Sequence, residues 1–252
     1  MTGAGIGGGG TGRRLIGVGV GPGAPDLVTV KAVRVLSDAD LVLVPVMDPS
    51  ELGRAEATVR AHVRHDRIRR AVFALNERQD RARREAAWDA AADAVVQAFQ
   101  AGAGTVAFAT IGDPNVYSTF GYLAQTVRTR LPGLVVETVP GITAMQALAA
   151  ASGTTLCEGT ESLTLVPLTG GIGALAAALD SADTVVAYKG GRHLPEVRAL
   201  LERRGRIDTA VFGSSLGLPD EQVRPFADVH GPAAYLSTVL IPPTRPTIGG
   251  RL

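Results

Sequence analysis

Cysteine occurs once in the 252 residues, as Cys157. A single thiol closes no intramolecular disulfide and forms no Cys-x-x-Cys metal knuckle. Histidine is nearly as scarce. His62, His65, His193 and His230 show neither HxH nor HExxH spacing, so no metal site is expected. His62 and His65, three residues apart in an Arg-rich segment, read as a solvated helix face. Lysine is confined to Lys31 and Lys189, which leaves arginine as almost the whole basic complement. Net charge is also nearly absent: Lys+Arg 25 against Asp+Glu 24 gives +1, which argues against a nucleic-acid binder that relies on bulk electrostatics. No apolar run approaches the ~18 residues of a membrane helix. The Gly-rich stretch 1–12 lacks the apolar core of a secretory signal and reads as a flexible leader. The expected location is the cytoplasm, with no membrane and no nucleic-acid partner.

What is present is core-forming material. Apolar residues make up 46% and charged residues 19%, enough to bury a substantial interior. The Ala/Arg/Gly bias has a compositional reading. Its functional alternative is that some guanidinium forks hold carboxylates.

Short apolar runs alternate with helical patterns along the chain. Strands are expected at 15–20, 41–46, 68–75, 105–110, 134–139, 163–167, 184–188, 209–214 and 235–241. Helices are expected at 26–37 with Asp26 as N-cap, about 51–65, about 79–101, 117–130, 142–152, 172–179 and 193–204. This alternation implies α/β architecture: two α/β domains with mixed, largely parallel sheets. The expected division is a leader 1–12, an N-terminal domain 13–137 and a C-terminal domain 138–252.

Gly17-Val18-Gly19-Val20-Gly21-Pro22-Gly23 lies between a strand and a helix. Gly19, Gly21 and Ala24 satisfy G-x-G-x-x-A, and Asp48 follows the second strand, so a nicotinamide-dependent oxidoreductase is a rival reading. Against it, Pro22 and Pro25 remove N–H donors from the loop that should present them to a pyrophosphate. Three further loops each follow a strand and open onto a helix. They are Thr110-Ile111-Gly112-Asp113-Pro114, Val139-Pro140-Gly141-Ile142-Thr143 and Tyr188-Lys189-Gly190-Gly191-Arg192-His193. Loops at strand C-termini line the ligand crevice of parallel sheets, and glycine there lets backbone approach a ligand closely.

In this order and spacing, the four loops resemble the tetrapyrrole (corrin/porphyrin) methylases, from Leu15 to Ile241. Gly112–Phe120, Glu137–Thr143, Gly190–Val197 and Tyr235–Thr238 look like the subgroup that methylates precorrin-2 at C-20 in cobalamin biosynthesis, whose cobalt-substrate counterpart shares them. The resemblance implies two α/β domains flanking a cleft, a homodimer, S-adenosylmethionine as methyl donor and an anionic tetrapyrrole, precorrin-2, as substrate. It implies donor contacts at Pro22, Gly112, Asp113, Val116, Thr143, Ala144, Lys189 and Ser214. This chain departs from the family at Phe73-Ala74-Leu75, where Phe-Pro-Met is frequent, and at Lys189-Gly190-Gly191, where Lys-Val-Gly is common.

The catalytic residues stay open, with Tyr117, Ser118, Arg192 and His193 as candidates. Several of the residues singled out have a plainer reading. Asp113 also fits as N-cap of the helix from Tyr117, with Pro114 in its first turn. Tyr117 fits as a buried tyrosine with a satisfied hydroxyl. Glu158 and Glu161 read as surface-loop carboxylates, and the arginines of 60–84 as a solvated helix face. A sister methylase and a non-catalytic tetrapyrrole-binding sensor remain as alternatives.

Overall fold

The computed structural model describes residues 12–73, 81–234 and 236–245. The leader before Gly12, Ala74 and Leu75 of the expected third strand, and Tyr235 lie outside the described residues. The chain forms two compact units, one of residues 1–21 and 25–142, the other of residues 22–24 and 143–252. The expected division after residue 137 falls inside a strand that pairs with the first sheet through Val139.

The first unit is built on five parallel strands: β1 (Arg14–Gly19), β2 (Leu41–Val46), β3 (Ile68–Val72), β4 (Thr105–Thr110) and β5 (Val135–Val139), in the order β3-β2-β4-β1-β5. Its helices are α1 (Val30–Asp38), α2 (Arg54–Arg60), α3 (Arg81–Gln100) and α4 (Phe120–Arg130). The inner strands are apolar on successive residues because both faces are covered. Leu15, Leu43, Val106 and Phe108 join Ala92, Val95 and Leu123 on one face. Ile16, Val18, Val42, Val44 and Ala107 join Leu36 and Val59 on the other.

Two sequence expectations fail at helix starts. Asp26 lies in a 3-10 turn, Pro25–Leu27, and α1 is capped by Thr29, whose hydroxyl accepts from Ala32 N–H at 3.2 Å. The helix expected from Tyr117 begins at Phe120. Arg60 and Arg70, read as a solvated face, clamp the fully buried carboxylate of Glu56. His62, placed on that face too, bonds the Pro25 carbonyl at 2.9 Å.

The second unit carries β6 (Leu163–Pro167), β7 (Thr184–Tyr188), β8 (Val211–Ser214), β9 (Gln222–Pro225) and β10 (Ser237–Ile241), in the order β6-β7-β10-β8-β9. Its helices are α5 (Ala144–Ser152), α6 (Gly173–Ser181) and α7 (Leu194–Arg203). Only β6 and β7 pair in parallel. β10 runs antiparallel to both β7 and β8, and β9 antiparallel to β8. The expected parallel character therefore belongs to the first sheet, while the second is mixed. β9 has no counterpart among the expected strands, because Gln-Val-Arg-Pro offers no apolar alternation. It is held by its ladder and by Arg224 stacked over the ring of its partner Phe212 at 5.7 Å. Glu161, expected at the surface, is buried against Arg245, with Nη2 to Oε2 at 2.6 Å. Among the described residues no helix is long and apolar enough to cross a membrane.

Candidate functional site

Because all five strands of the first sheet are parallel, the turns after β1, β4 and β5 emerge at one edge. Backbone laces them together there. Val20 N–H donates to the Thr110 carbonyl at 2.9 Å, and Gly112 N–H to the Gly21 carbonyl at 2.8 Å. A side chain has no room in this stack. A Cβ on Gly19 would stand 2.5 Å from the Gly112 oxygen and 2.6 Å from the Gly141 nitrogen, and one on Gly141 only 2.1 Å from that oxygen. Gly17 is bare for a related reason: its Cβ would enter the ring of Phe120, the first residue of α4.

Asp113 does not cap α4. One carboxylate oxygen accepts from Asn115 N–H at 2.8 Å, folding the loop over Pro114, and the other accepts from Gly141 N–H at 3.0 Å. The acid therefore ties the turn after β4 to the turn after β5. Val116 closes the same loop by donating its N–H to the Asp113 carbonyl. The start of α4 falls to Ser118, whose Oγ accepts from Phe120 N–H and contacts the Thr110 hydroxyl, both at 3.2 Å. Tyr117 sits beside it at φ 51°, a left-handed conformation costly for a tyrosine, and is 41% exposed. Partial burial pushes its phenol pKa up, so it stays a neutral hydroxyl through the physiological range.

In the second unit, β7 and β8 both run antiparallel to β10, so their C-terminal ends also share an edge. Each is followed by a non-glycine residue at positive φ, Lys189 at 58° and Ser215 at 51°. With Tyr117 these are the only such residues among those described. Strained backbone of this sort, of order 1–3 kcal/mol each, clusters where a loop is held for use. The N-terminus of α5 is set against this edge by Tyr188, whose hydroxyl accepts from Met145 N–H at 3.1 Å. Thr143 precedes α5 and donates its N–H and hydroxyl to Gln146 Oε1 at 2.9 and 3.0 Å, which leaves Ala144 as the first helical residue.

The second unit also takes Pro22, Gly23 and Ala24 onto the turn after Ser214. A Cβ on Gly23 would lie 2.7 Å from the Leu216 carbonyl, and one on Gly217 2.5 Å from the Ala24 nitrogen. This geometry removes the dinucleotide reading. The glycine loop does not open directly onto a helix N-terminus, since α1 begins only at Val30, and its Ala24 position is covered by backbone.

Arg192 and His193 lie in a 3-10 turn, Gly191–His193. Arg192 Nε–H donates to His193 Nε2 at 3.1 Å, and His193 Nδ1 meets Glu196 Oε2 at 2.5 Å. Both ring nitrogens are thus engaged, in the Nδ1–H form when neutral, and the guanidinium stays exposed.

Within the first unit the structure brings Gly112, Asp113 and Val116 into one loop with Tyr117 and Ser118. Within the second it gathers Pro22 at the turn that follows Ser214, and joins Thr143 and Ala144 to the end of β7 that carries Lys189. Sequence reasoning missed Gly217, whose signal was a glycine just past a strand, and Gln146, whose signal was its place three residues after Thr143.

The family model for tetrapyrrole (corrin/porphyrin) methylases matches residues 14–228. A precorrin-2 C(20)-methyltransferase of Sinorhizobium sp is 34% identical over 250 residues, covering 96% of this chain and 98% of that protein. A cobalt-precorrin-2 C(20)-methyltransferase of Salmonella typhimurium is 32% identical over 232 residues, covering 90% of this chain and 95% of that one. Among solved structures, a uroporphyrin-III C-methyl transferase from Thermus thermophilus, complexed with S-adenyl homocysteine, matches the fold with a TM-score of 0.59. It is 23% identical and covers 91% of this chain and 97% of its own.

Proposed function

The chain belongs to the tetrapyrrole (corrin/porphyrin) methylases, and from that premise we propose that it methylates precorrin-2 at C-20. S-adenosylmethionine gives the methyl group, and precorrin-3A and S-adenosylhomocysteine are the products, a step of cobalamin biosynthesis. The observation that carries this reading is the end-to-end similarity to the Sinorhizobium precorrin-2 C(20)-methyltransferase.

The donor supplies a methyl on a cationic sulfur. The sulfur–carbon bond breaks, its electron pair returns to sulfur, a carbon–carbon bond forms at the acceptor, and a proton leaves that carbon. Such a displacement asks the protein mainly for alignment, and positioning of the two reactants is worth up to about 7–11 kcal/mol. The residues present suit that task. The glycine stack around Gly112 offers backbone rather than side chains to a ligand, and the Asp113 link fixes two of its turns. In this reading the donor contacts are Pro22, Gly112, Asp113, Val116, Thr143, Ala144, Lys189 and Ser214. Tyr117, Ser118, Arg192 and His193 face the acceptor, where the exposed Arg192 guanidinium suits a polycarboxylate. The working form is a cytoplasmic homodimer.

Two measurements test this. S-adenosylhomocysteine should raise the melting temperature by binding linkage and NAD(H) or NADP(H) should not, whereas stabilisation by the nicotinamides alone sinks the reading. Labelled methyl should then appear in product. The similarity to the Salmonella enzyme keeps a second substrate in view, so turnover is compared on metal-free and cobalt-loaded precorrin-2. Faster turnover of the cobalt form would move the assignment to that substrate.

A further inference from the structure

β10 begins at Ser237, between the ends of β7 and β8. In register, Ser237 stands opposite Ser214, and the next residue, Thr238, opposite Tyr188 and Gly213. The left-handed residues Lys189 and Ser215 follow directly on Tyr188 and Ser214, so their turns flank Ser237 on either side. Hydroxyls are concentrated here. Ser214, Ser215, Ser237 and Thr238 are 8%, 6%, 3% and 2% exposed, four of the nine buried polar or charged residues among those described.

One of these hydroxyls bonds nothing among the described residues. Ser215 Oγ reaches the Asp220 carboxylate at 2.8 Å, but Ser237 Oγ is buried without a hydrogen-bond partner among the described residues. Among the described residues only one other buried side-chain atom shares that condition, Arg206 Nε, and the Nη2 of that guanidinium donates to the carbonyls of Asp183 and Pro242. Ser237 has no such second bond. Leaving a hydroxyl dry and unmatched is unfavourable, and such orphans in folded proteins call for a partner outside the described contacts. An alanine would fill the same place in the strand without that penalty.

We propose that Ser237 is a donor-binding residue, its hydroxyl completing its hydrogen bond on S-adenosylmethionine when the nucleoside occupies the second unit's strand-end edge. This rests on the donor reading above, in which Ser214 and Lys189, its neighbours across β8 and β7, contact the same molecule. A hydroxyl both donates and accepts, so it serves the amine, carboxylate, ribose or purine groups of the ligand by rotating.

The test is S237A, measured on the whole protein with S-adenosylhomocysteine as probe. Without ligand the variant should melt at or slightly above the wild-type temperature, since it loses no internal hydrogen bond. Its Kd for the probe, by isothermal titration, should rise about tenfold, the effect of one hydrogen bond. A Kd within twofold of wild type overturns the proposal while leaving the donor reading intact. A melting temperature lowered by several degrees also overturns it, by showing that the hydroxyl has a structural partner. If the wild-type protein does not bind the probe at all, the donor reading falls and this inference falls with it.

Discussion

The first unit closes its strand-end edge with backbone. Gly19, Gly112 and Gly141 touch one another, and a single carboxylate, Asp113, binds two of their turns. The second unit also packs backbone at Gly23, Gly191 and Gly217, but it closes the rest of its edge with side-chain hydroxyls and with two non-glycine residues held at positive φ, Lys189 and Ser215. A backbone stack has no slack, because carbonyl and amide atoms cannot move aside without shifting a strand. A hydroxyl edge can lose a side chain and keep its shape. Substitutions in the glycine stack of the first edge should therefore register as lost stability, and those at the hydroxyl and left-handed positions of the second mainly as changed ligand affinity.

The sharpest way to break this contrast is to add one methyl group to each edge. G141A places a Cβ 2.1 Å from the Gly112 oxygen and 2.8 Å from Gly19 backbone, so the sheet end must open. A loss of about 3–5 kcal/mol, or failure to fold, is expected in urea unfolding. G190A meets the side chain of Leu168, whose Cδ1 would lie 2.6 Å away, and a side-chain end gives way at less cost than backbone, so about 1 kcal/mol is expected. Equal losses would show that the two edges are equally rigid.

The buried carboxylates extend the comparison away from the edges. Glu56 in the first unit is wholly buried between Arg60 and Arg70, and Glu161 in the second is nearly so against Arg245. Burial pushes the Glu56 pKa up, but hydrogen bonds from Arg70 and Arg60 outweigh it and hold the group below the usual carboxylate range. A depressed folded-state pKa stabilises fully above the unfolded value of about 4.3, and that contribution is lost as pH falls through the folded value. E56Q should therefore cost about 2–3 kcal/mol at pH 7, with the gap from wild type closing below about pH 4. Urea midpoints across pH check both the size and the sign. A gap that widens in acid would mean that Glu56 is not held ionised.

Asp113 gives an intermediate case. D113A frees the amides of Gly141 and Asn115, which should lower stability by about 1–2 kcal/mol. If the acid works by holding Gly141, the KM for S-adenosylmethionine rises about tenfold while that for the tetrapyrrole barely changes. D113N keeps one carbonyl acceptor and should recover part of both losses. A D113A enzyme with wild-type KM for the donor would leave Asp113 as a loop fastener alone.

How much of this was legible beforehand follows the same divide. β2, β4, β6 and β7 run between their expected bounds because each is a short apolar run bracketed by polar or turn residues. The glycines of the first edge were visible as one glycine per strand-end loop. Their mutual contact was not, since it depends on the close approach of residues far apart in the chain. Asp113 followed by proline carries the local signature of a helix cap. What overrides it is Tyr117 at positive φ, which delays the helix to Phe120, and the reach of the second carboxylate oxygen to Gly141. The second unit hid more. Hydrophobic pattern does not encode strand direction, so the antiparallel insertion of β10 between β7 and β8 left no trace. Without that register, nothing in Leu236-Ser237-Thr238 marks a buried hydroxyl lacking a partner.

The smallest expected effect probes why a lysine is kept at φ 58°. K189G relieves the left-handed strain, while the added freedom of glycine in the unfolded chain offsets part of that gain. The folded state should become more stable by about 0.5 kcal/mol, a shift of one or two degrees in Tm. K189A stays strained and should show no such gain. Both variants remove the ammonium, so if the lysine is held at this turn to meet a ligand, both lose affinity for S-adenosylhomocysteine by a similar factor. A K189G protein that is more stable and binds as tightly as wild type would show that the strained turn serves neither ligand nor fold. The buried hydroxyls and the strain at Ser215, whose own hydroxyl is already committed to Asp220, would then remain to distinguish the second edge.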